Sequence, residues 1–132
     1  MPKNVKVYFN TSHDEYYELM KKSRAVLLPL KDQRAAGLIN ICKSLQYGVI
    51  CVTTRTPATE SYYAEESEKY LIEIGDEDQL ERVIYSIVSY NESNYKKEVW
   101  KMQEYLKKNV SPSAIVEEML RFAEKYYGNP IL

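Results

Sequence analysis

The chain has 132 residues, a formal net charge of −1, and 45% hydrophobic against 28% charged residues. These values are typical of one globular domain and exclude global disorder. Proteins that bind duplex nucleic acid usually carry a basic excess, so we expect no nucleic-acid partner. The sequence also predicts no transmembrane segment and no signal peptide, which favours a cytoplasmic location.

The first third of the chain alternates strand and helix patterns. Residues 5–9 are β-branched and aromatic, which predicts a first strand. Ser12 and Glu15 have the spacing of a capping box, so we expect a helix over 13–23. The apolar run 25–30 predicts a second strand that is buried on both faces.

The middle of the chain repeats this alternation. After a polar loop at 31–36, Gly37 is expected to open a second helix and Gly48 to end it. Residues 49–53 predict a third buried strand and residues 70–74 a fourth. Between them we expect a loop over 54–59 and a short helical turn at 60–64.

The C-terminal third predicts only helices. Asp76 is expected to cap a helix, and further helices are predicted over 94–108 and 111–128. The helix after Asp76 has apolar residues at spacings of 3, 1, 3 and 1, namely Leu80, Val83, Ile84, Ile87 and Val88.

The order of elements predicts an α/β fold. Strands that alternate with helices form parallel sheets through right-handed crossovers. We therefore expect one domain over 1–132, with a parallel sheet of about four strands flanked by helices in 1–91 and a helical tail in 92–132.

A ligand is expected at the carboxyl ends of the strands, where open parallel sheets bind their ligands. The start of the second helix offers backbone N–H groups at Ala36, Gly37 and Leu38 to an anion. Lys31 and Arg34 lie just before it and have the charge to neutralise a phosphate. The alternative is that both cations are solvated and that the glycine only eases entry into the helix.

Other polar residues near the same edge are less specific. Thr54 offers a hydroxyl, and Lys43 is placed to point back along its helix toward the sheet. A polar surface loop and a surface lysine are the corresponding alternatives.

Cys42 and Cys51 are interpreted as reduced, buried thiols, since the chain lacks the ligands for a zinc site and we expect no metal.

Several segments, taken in order, resemble the group-1 (GT4-type) GT-B glycosyltransferases. The similar stretches are NVKVYF at 4–9, YYELMKKSRAVLLP at 16–29, AGL at 36–38, SLQYGVICVTT at 44–54, TPATE at 56–60 and IGDEDQL at 74–80. Residues 5–126 resemble the C-terminal part of the Rossmann-like, donor-binding domain of that family. A receiver-like signalling domain is set aside, because residues 10–12 and 53–54 supply no acidic cluster and no phosphoacceptor aspartate.

The resemblance implies that the chain binds a nucleotide-diphosphate sugar as donor substrate, with no other cofactor. It implies sugar transfer to a saccharide or lipid-linked acceptor, as in polysaccharide biosynthesis. The substrate-binding residues would be Lys31, Arg34, Ala36, Gly37, Leu38, Lys43 and Thr54, and no catalytic residue is identified.

The sequence also departs from the family pattern. The family's Glu-x7-Glu pair falls at Ala35 and Lys43, and an ammonium group cannot accept hydrogen bonds from ribose hydroxyls. The acceptor-binding domain and the first βαβ unit of the donor domain have no counterpart, so we expect the isolated chain to be inactive. The alternative is a degenerate, non-catalytic module that pairs with a separate subunit. Uncovered strands also predict a homo-oligomer.

Overall fold

A computed structural model describes residues 2–31 and 38–110. Three parallel strands form a sheet in the order β1-β2-β3, and helices pack around it. The elements in chain order are α1 (His13–Lys21), β1 (Ala25–Leu28), α2 (Leu38–Gln46), β2 (Ile50–Thr54), α3 (Pro57–Glu60), a 3-10 helix (Glu65–Tyr70), β3 (Leu71–Ile72), α4 (Glu77–Ser89) and α5 (Glu92–Asn109).

The central strand β2 lies in the middle of the core. All five of its residues are buried, as predicted for a continuous apolar run in a parallel sheet. Its register with β1 aligns Ala25 with Ile50, and its register with β3 aligns Thr53 with Leu71. The three strands therefore end at the same edge of the sheet.

The predicted capping residues Ser12, Gly48 and Asp76 are confirmed. The Ser12 side chain accepts a hydrogen bond from the Glu15 backbone at the start of α1, and Asp76 caps α4 in the same way. Gly48 has a φ of +78°, and its N–H donates to the carbonyl of Leu45 at 3.0 Å. This left-handed residue ends α2 in a Schellman motif, which glycine adopts without steric strain.

Helix α5 packs against α2 and is hydrogen-bonded to the sheet. Tyr95, Val99 and Met102 form its buried face. The Tyr95 hydroxyl donates to the carbonyl of Arg24 at 2.8 Å and accepts from the N–H of Ile50 at 3.3 Å. One phenol therefore joins α5 to the backbone before β1 and to the start of β2.

The prediction of a first strand at residues 5–9 is wrong. These residues form no regular element, and Val5, Val7, Tyr8 and Phe9 are all exposed. A strand needs a neighbour to satisfy its backbone groups, and none of the described residues pairs with this segment. The sheet has three strands in the described part of the chain rather than about four.

The region between β2 and α4 also differs from the prediction. Helix α3 begins at Pro57, although a loop was expected over 54–59 and a helical turn only from residue 60, and a 3-10 helix occupies 65–70. The fourth predicted strand is reduced to Leu71–Ile72. Val88 is 65% exposed although its spacing predicted burial. The predicted helix at 111–128 lies outside the described residues.

Candidate functional site

The carboxyl edge of the sheet encloses a small cavity of about 120 Å³. Its floor is formed by apolar residues of β1 and β2, and its rim by the segment from Glu73 to Glu77 at the start of α4. The rim carries the carboxylates of Glu73, Asp76 and Glu77. The cavity is therefore apolar inside and acidic at its mouth.

Threonine hydroxyls fix the backbone at this edge. The Thr53 hydroxyl donates to the carbonyl of Leu28 at 2.8 Å. The Thr54 hydroxyl accepts from the N–H of Leu30 at 2.7 Å and lies 3.4 Å from the Leu30 carbonyl. The loop after β1 is thus held against the end of β2 before any ligand binds.

Arg55, the residue after β2, is surrounded by three carboxylates. Its Nε lies 2.9 Å from Glu73, and one terminal nitrogen lies 3.1 Å from Glu60 and 3.9 Å from Glu68. The hydrogen bond with Glu60 is the main reason why the pKa of Arg55 is raised, so the guanidinium stays charged. Three negative charges around one positive charge leave this edge acidic.

Helix α3 positions Glu60 toward Arg55. The Thr59 hydroxyl accepts from the N–H of Thr56 at 2.8 Å and donates to the carbonyl of Thr54 at 2.7 Å. Both Thr56 and Thr59 are buried. This reciprocal capping box, with Pro57 in the first turn, fixes the short helix directly to the end of β2.

A family model described as "Glycosyl transferases group 1" matches residues 1–111. The chain belongs to the group 1 glycosyltransferase family. The matched span includes all three strands and the whole carboxyl edge just described. Searches of curated proteins and of solved structures gave no match. None of the helices in the described residues is both long and apolar enough to cross a membrane.

The structure places the predicted glycosyltransferase site residues in different surroundings. Lys31 is exposed in the loop after β1, and Leu38 is the first residue of α2, half-buried against the core. Thr54 lies at the carboxyl edge with its hydroxyl bonded to Leu30. Arg34, Ala36 and Gly37 lie outside the described residues.

Lys43 lies in the contact between α2 and α1 of this glycosyltransferase chain. Its ammonium nitrogen is 5.5 Å from the ring centre of Tyr17. Tyr17 in turn packs against Tyr16 and Tyr47, with ring centres 5.6 and 5.9 Å away. A cation over an aromatic face is attracted by the ring quadrupole, so Lys43 contributes to the packing of the two helices.

Sequence reasoning did not find the carboxylates around Arg55. Glu60 was interpreted as part of the family-like TPATE segment, and Glu68 and Glu73 were not singled out. The sequence does indicate the helix that carries Glu60, because the TRTPATE stretch has a threonine before a proline, which predicts a helix start. The pairing with Glu73 depends on β2 and β3 ending side by side, which only the fold shows.

The two thiols are poor nucleophiles. Burial raises the pKa of Cys51 to about 12, and burial also raises the pKa of Cys42. A thiol of high pKa is protonated at neutral pH and therefore unreactive. Within residues 2–31 and 38–110, no three His, Cys, Asp or Glu side chains converge on a possible metal position.

Proposed function

We propose that this chain supplies the donor-binding side of a glycosyltransferase that uses a nucleotide-diphosphate sugar and glycosylates a saccharide or lipid-linked acceptor. The observation that carries the proposal is the cluster of Glu60, Glu68 and Glu73 around Arg55 at the carboxyl edge. Sugar and ribose rings present hydroxyl donors, and ionised carboxylates only accept hydrogen bonds. The edge therefore suits a polyhydroxylated ligand.

Each carboxylate keeps capacity for a ligand after its contact with Arg55. A carboxylate has about four lone-pair sites on two oxygens, whereas the guanidinium contacts one oxygen each of Glu60 and Glu73. Arg55 holds these groups in fixed positions, and such preorganisation lowers the entropic cost of binding. The three carboxylates are 45–62% exposed, so a ligand can reach them.

The diphosphate is expected at a different part of the edge. Phosphates would be repelled by the surplus negative charge near Arg55. In the loop before α2, Lys31 and Arg34 have the positive charge, and Ala36, Gly37 and Leu38 are expected from the sequence to offer the backbone N–H groups, that phosphates require. We assign the hydroxyl-bearing rings to the carboxylates and the diphosphate to this loop.

A titration of the 15N-labelled chain tests the assignment. UDP, GDP and their glucose or mannose conjugates are added while amide shifts are followed. We expect localised shifts at residues 36–38 and 54–56 with every ligand, and shifts at Glu60 and Glu73 that are larger with the sugar conjugates, which add a second hydroxyl-bearing ring to the ribose. The absence of any localised shift at millimolar ligand would contradict donor binding.

Matched glutamate variants test the carboxylates. Glu73→Gln removes one charge and converts half of the acceptor group into a donor. Because hydrogen bonds to charged groups contribute roughly 1.5–3 kcal/mol, we expect affinity for the sugar conjugate to fall about tenfold or more. Glu81→Gln, on the exposed surface of α4, is the control and should leave affinity unchanged. Equal effects of the two variants would show that the carboxylate cluster does not bind the sugar.

The alternative is a non-catalytic module that acts through an interface with a separate subunit. It is favoured by the position of Lys43, whose ammonium group packs over Tyr17 instead of accepting hydrogen bonds from a nucleotide. Lys43→Glu restores the residue type that the family resemblance implies there. A gain of donor binding in this variant, absent in the Lys22→Glu control, would indicate that the donor site has decayed.

A further inference from the structure

Helix α5 presents a basic outer surface with a tryptophan in it. The residues of this surface, here called the α5 basic face, are Lys96, Lys97, Trp100, Lys101, Lys107 and Lys108. All six are exposed, and Trp100 is 61% exposed. At 3.6 residues per turn they occupy an arc of about 140° of the helix.

The lysines of this face have no ion pair with any described residue. Of the two acidic residues within 96–108, Glu98 is turned inward, where it lies 2.6 Å from Lys69 on the 3-10 helix. Glu104 is half-buried and projects within the arc, between Trp100 and Lys97. The α5 basic face therefore carries five lysines against one glutamate.

The charge is segregated within a chain that is close to neutral. Nine of the 19 acidic residues lie between positions 60 and 82, where only Lys69 and Arg82 are basic. An approaching anionic surface would be repelled by that acidic segment and attracted by α5. The charge distribution thus selects one orientation.

Trp100 identifies the chemistry of the partner. A polyanion such as duplex nucleic acid would use the lysines but has no apolar layer to bury an indole ring. A bilayer with anionic headgroups accommodates both the lysines and the indole ring. Indole rings lie at the boundary between headgroups and acyl chains, while lysines contact the headgroups.

We propose that the α5 basic face docks the protein on an anionic lipid bilayer, with Trp100 inserted at the level of the headgroups. This inference goes beyond donor binding and is independent of it, since it involves none of the residues at the carboxyl edge. The orientation leaves that edge free, because α5 contributes no residue to the cavity at the strand ends.

Vesicle binding of the full chain tests the proposal. Trp100 is the only tryptophan, so its fluorescence reports directly on the docking face. With vesicles of 70% phosphatidylcholine and 30% phosphatidylglycerol at 0.1 M salt, we expect co-sedimentation and a blue shift of the emission. With pure phosphatidylcholine we expect neither. Binding of equal strength to both vesicle types would overturn the proposal, as would anionic binding without a blue shift.

Matched lysine variants test whether the α5 basic face is the surface that contacts the bilayer. Each lysine near an anionic surface contributes roughly a fivefold factor in partitioning. Replacing Lys97, Lys101 and Lys108 together by Gln should therefore weaken binding about 100-fold. The control replaces the exposed Lys3, Lys6 and Lys22 by Gln, which changes the net charge equally, and it should bind within a few-fold of the parent. Similar losses in both triple variants would show that net charge alone is responsible.

A competition experiment separates the lipid from other polyanions. We expect a 30-base-pair DNA duplex to displace the protein from vesicles only at concentrations far above those of the lipid phosphate. Displacement at equal phosphate concentration, with the same emission spectrum in both complexes, would refute a lipid-specific role for Trp100.

Discussion

Replacing Tyr95 by Phe removes one hydroxyl from the junction of α5, β1 and β2 and leaves the ring in place. The hydroxyl makes two hydrogen bonds, to the Arg24 carbonyl at 2.8 Å and from the Ile50 N–H at 3.3 Å. Arg24, whose guanidinium carbon lies 4.0 Å from the centre of the ring, keeps that contact in the variant.

The expected cost follows from which groups lose their partner. Ile50 is fully buried, so its N–H stays without a hydrogen bond at a cost of about 1–3 kcal/mol. Arg24 is only half-buried, so we expect its carbonyl to regain a bond to water. We therefore expect Tyr95→Phe to lower the free energy of unfolding by about 2 kcal/mol.

Urea unfolding followed by circular dichroism measures the change. For an m-value of about 2 kcal/mol/M, the midpoint should fall by about 1 M. Tyr85→Phe is the control, because Tyr85 is 65% exposed on α4 and its variant should unfold with the parent. If Tyr95→Phe is no less stable than Tyr85→Phe, the hydroxyl does not join α5 to the sheet.

Four further predictions concern stability and association. Ser67→Ala should raise the free energy of unfolding by about 1 kcal/mol in urea titrations, because the buried Ser67 hydroxyl has no partner among the described residues. Gly48→Ala should lower it by about 1 kcal/mol, since a Cβ meets no atom within 4 Å and only the φ of +78° is unfavourable. In thermal unfolding, stability should fall as pH rises from about 9 to about 12. In that range Cys51 ionises in the unfolded chain, while the native thiol, with a pKa of about 12, stays protonated. Cys51→Ala should therefore reduce the dependence of stability on pH. Sedimentation velocity should show concentration-dependent association that Leu27→Lys weakens, because β1 is an edge strand of the sheet in the described part of the chain and carries Leu27 at 41% exposure.

The alternation of strands and helices was predictable because it rests on local patterns. The apolar run of β2 and the capping residues of α1 and α4 specify their elements from neighbours in the sequence. Residues 5–9 have the same local pattern as a strand, but pairing is a non-local property, and the pattern alone does not say whether a neighbour is present. The 3-10 helix at 65–70 has no apolar period and is fixed by the burial of Ser67 and Tyr70.

The candidate site was predictable in position but only partly in composition. The rule that ligands bind at the carboxyl ends of parallel strands indicated the edge where Thr54 and Arg55 lie. The carboxylates of Glu68 and Glu73 come from segments 13 and 18 residues further along the chain, and only the pairing of β2 with β3 brings them to Arg55. The environment of Lys43 depends on an aromatic contact between two helices, which no spacing within α2 indicates.

The complete burial of β2 has a consequence for the dynamics of the chain. Amide protons exchange with solvent only when the backbone opens, and a strand enclosed by β1, β3 and α2 opens only when the whole sheet does. The amides of residues 50–54 should therefore take up deuterium last, at a rate set by global unfolding. Residues 2–9, which are exposed and lack regular hydrogen bonds, should exchange within the earliest time points. We therefore expect slow amide exchange in the central strand, whose carboxyl end forms part of the candidate site, and fast amide exchange in the N-terminal segment.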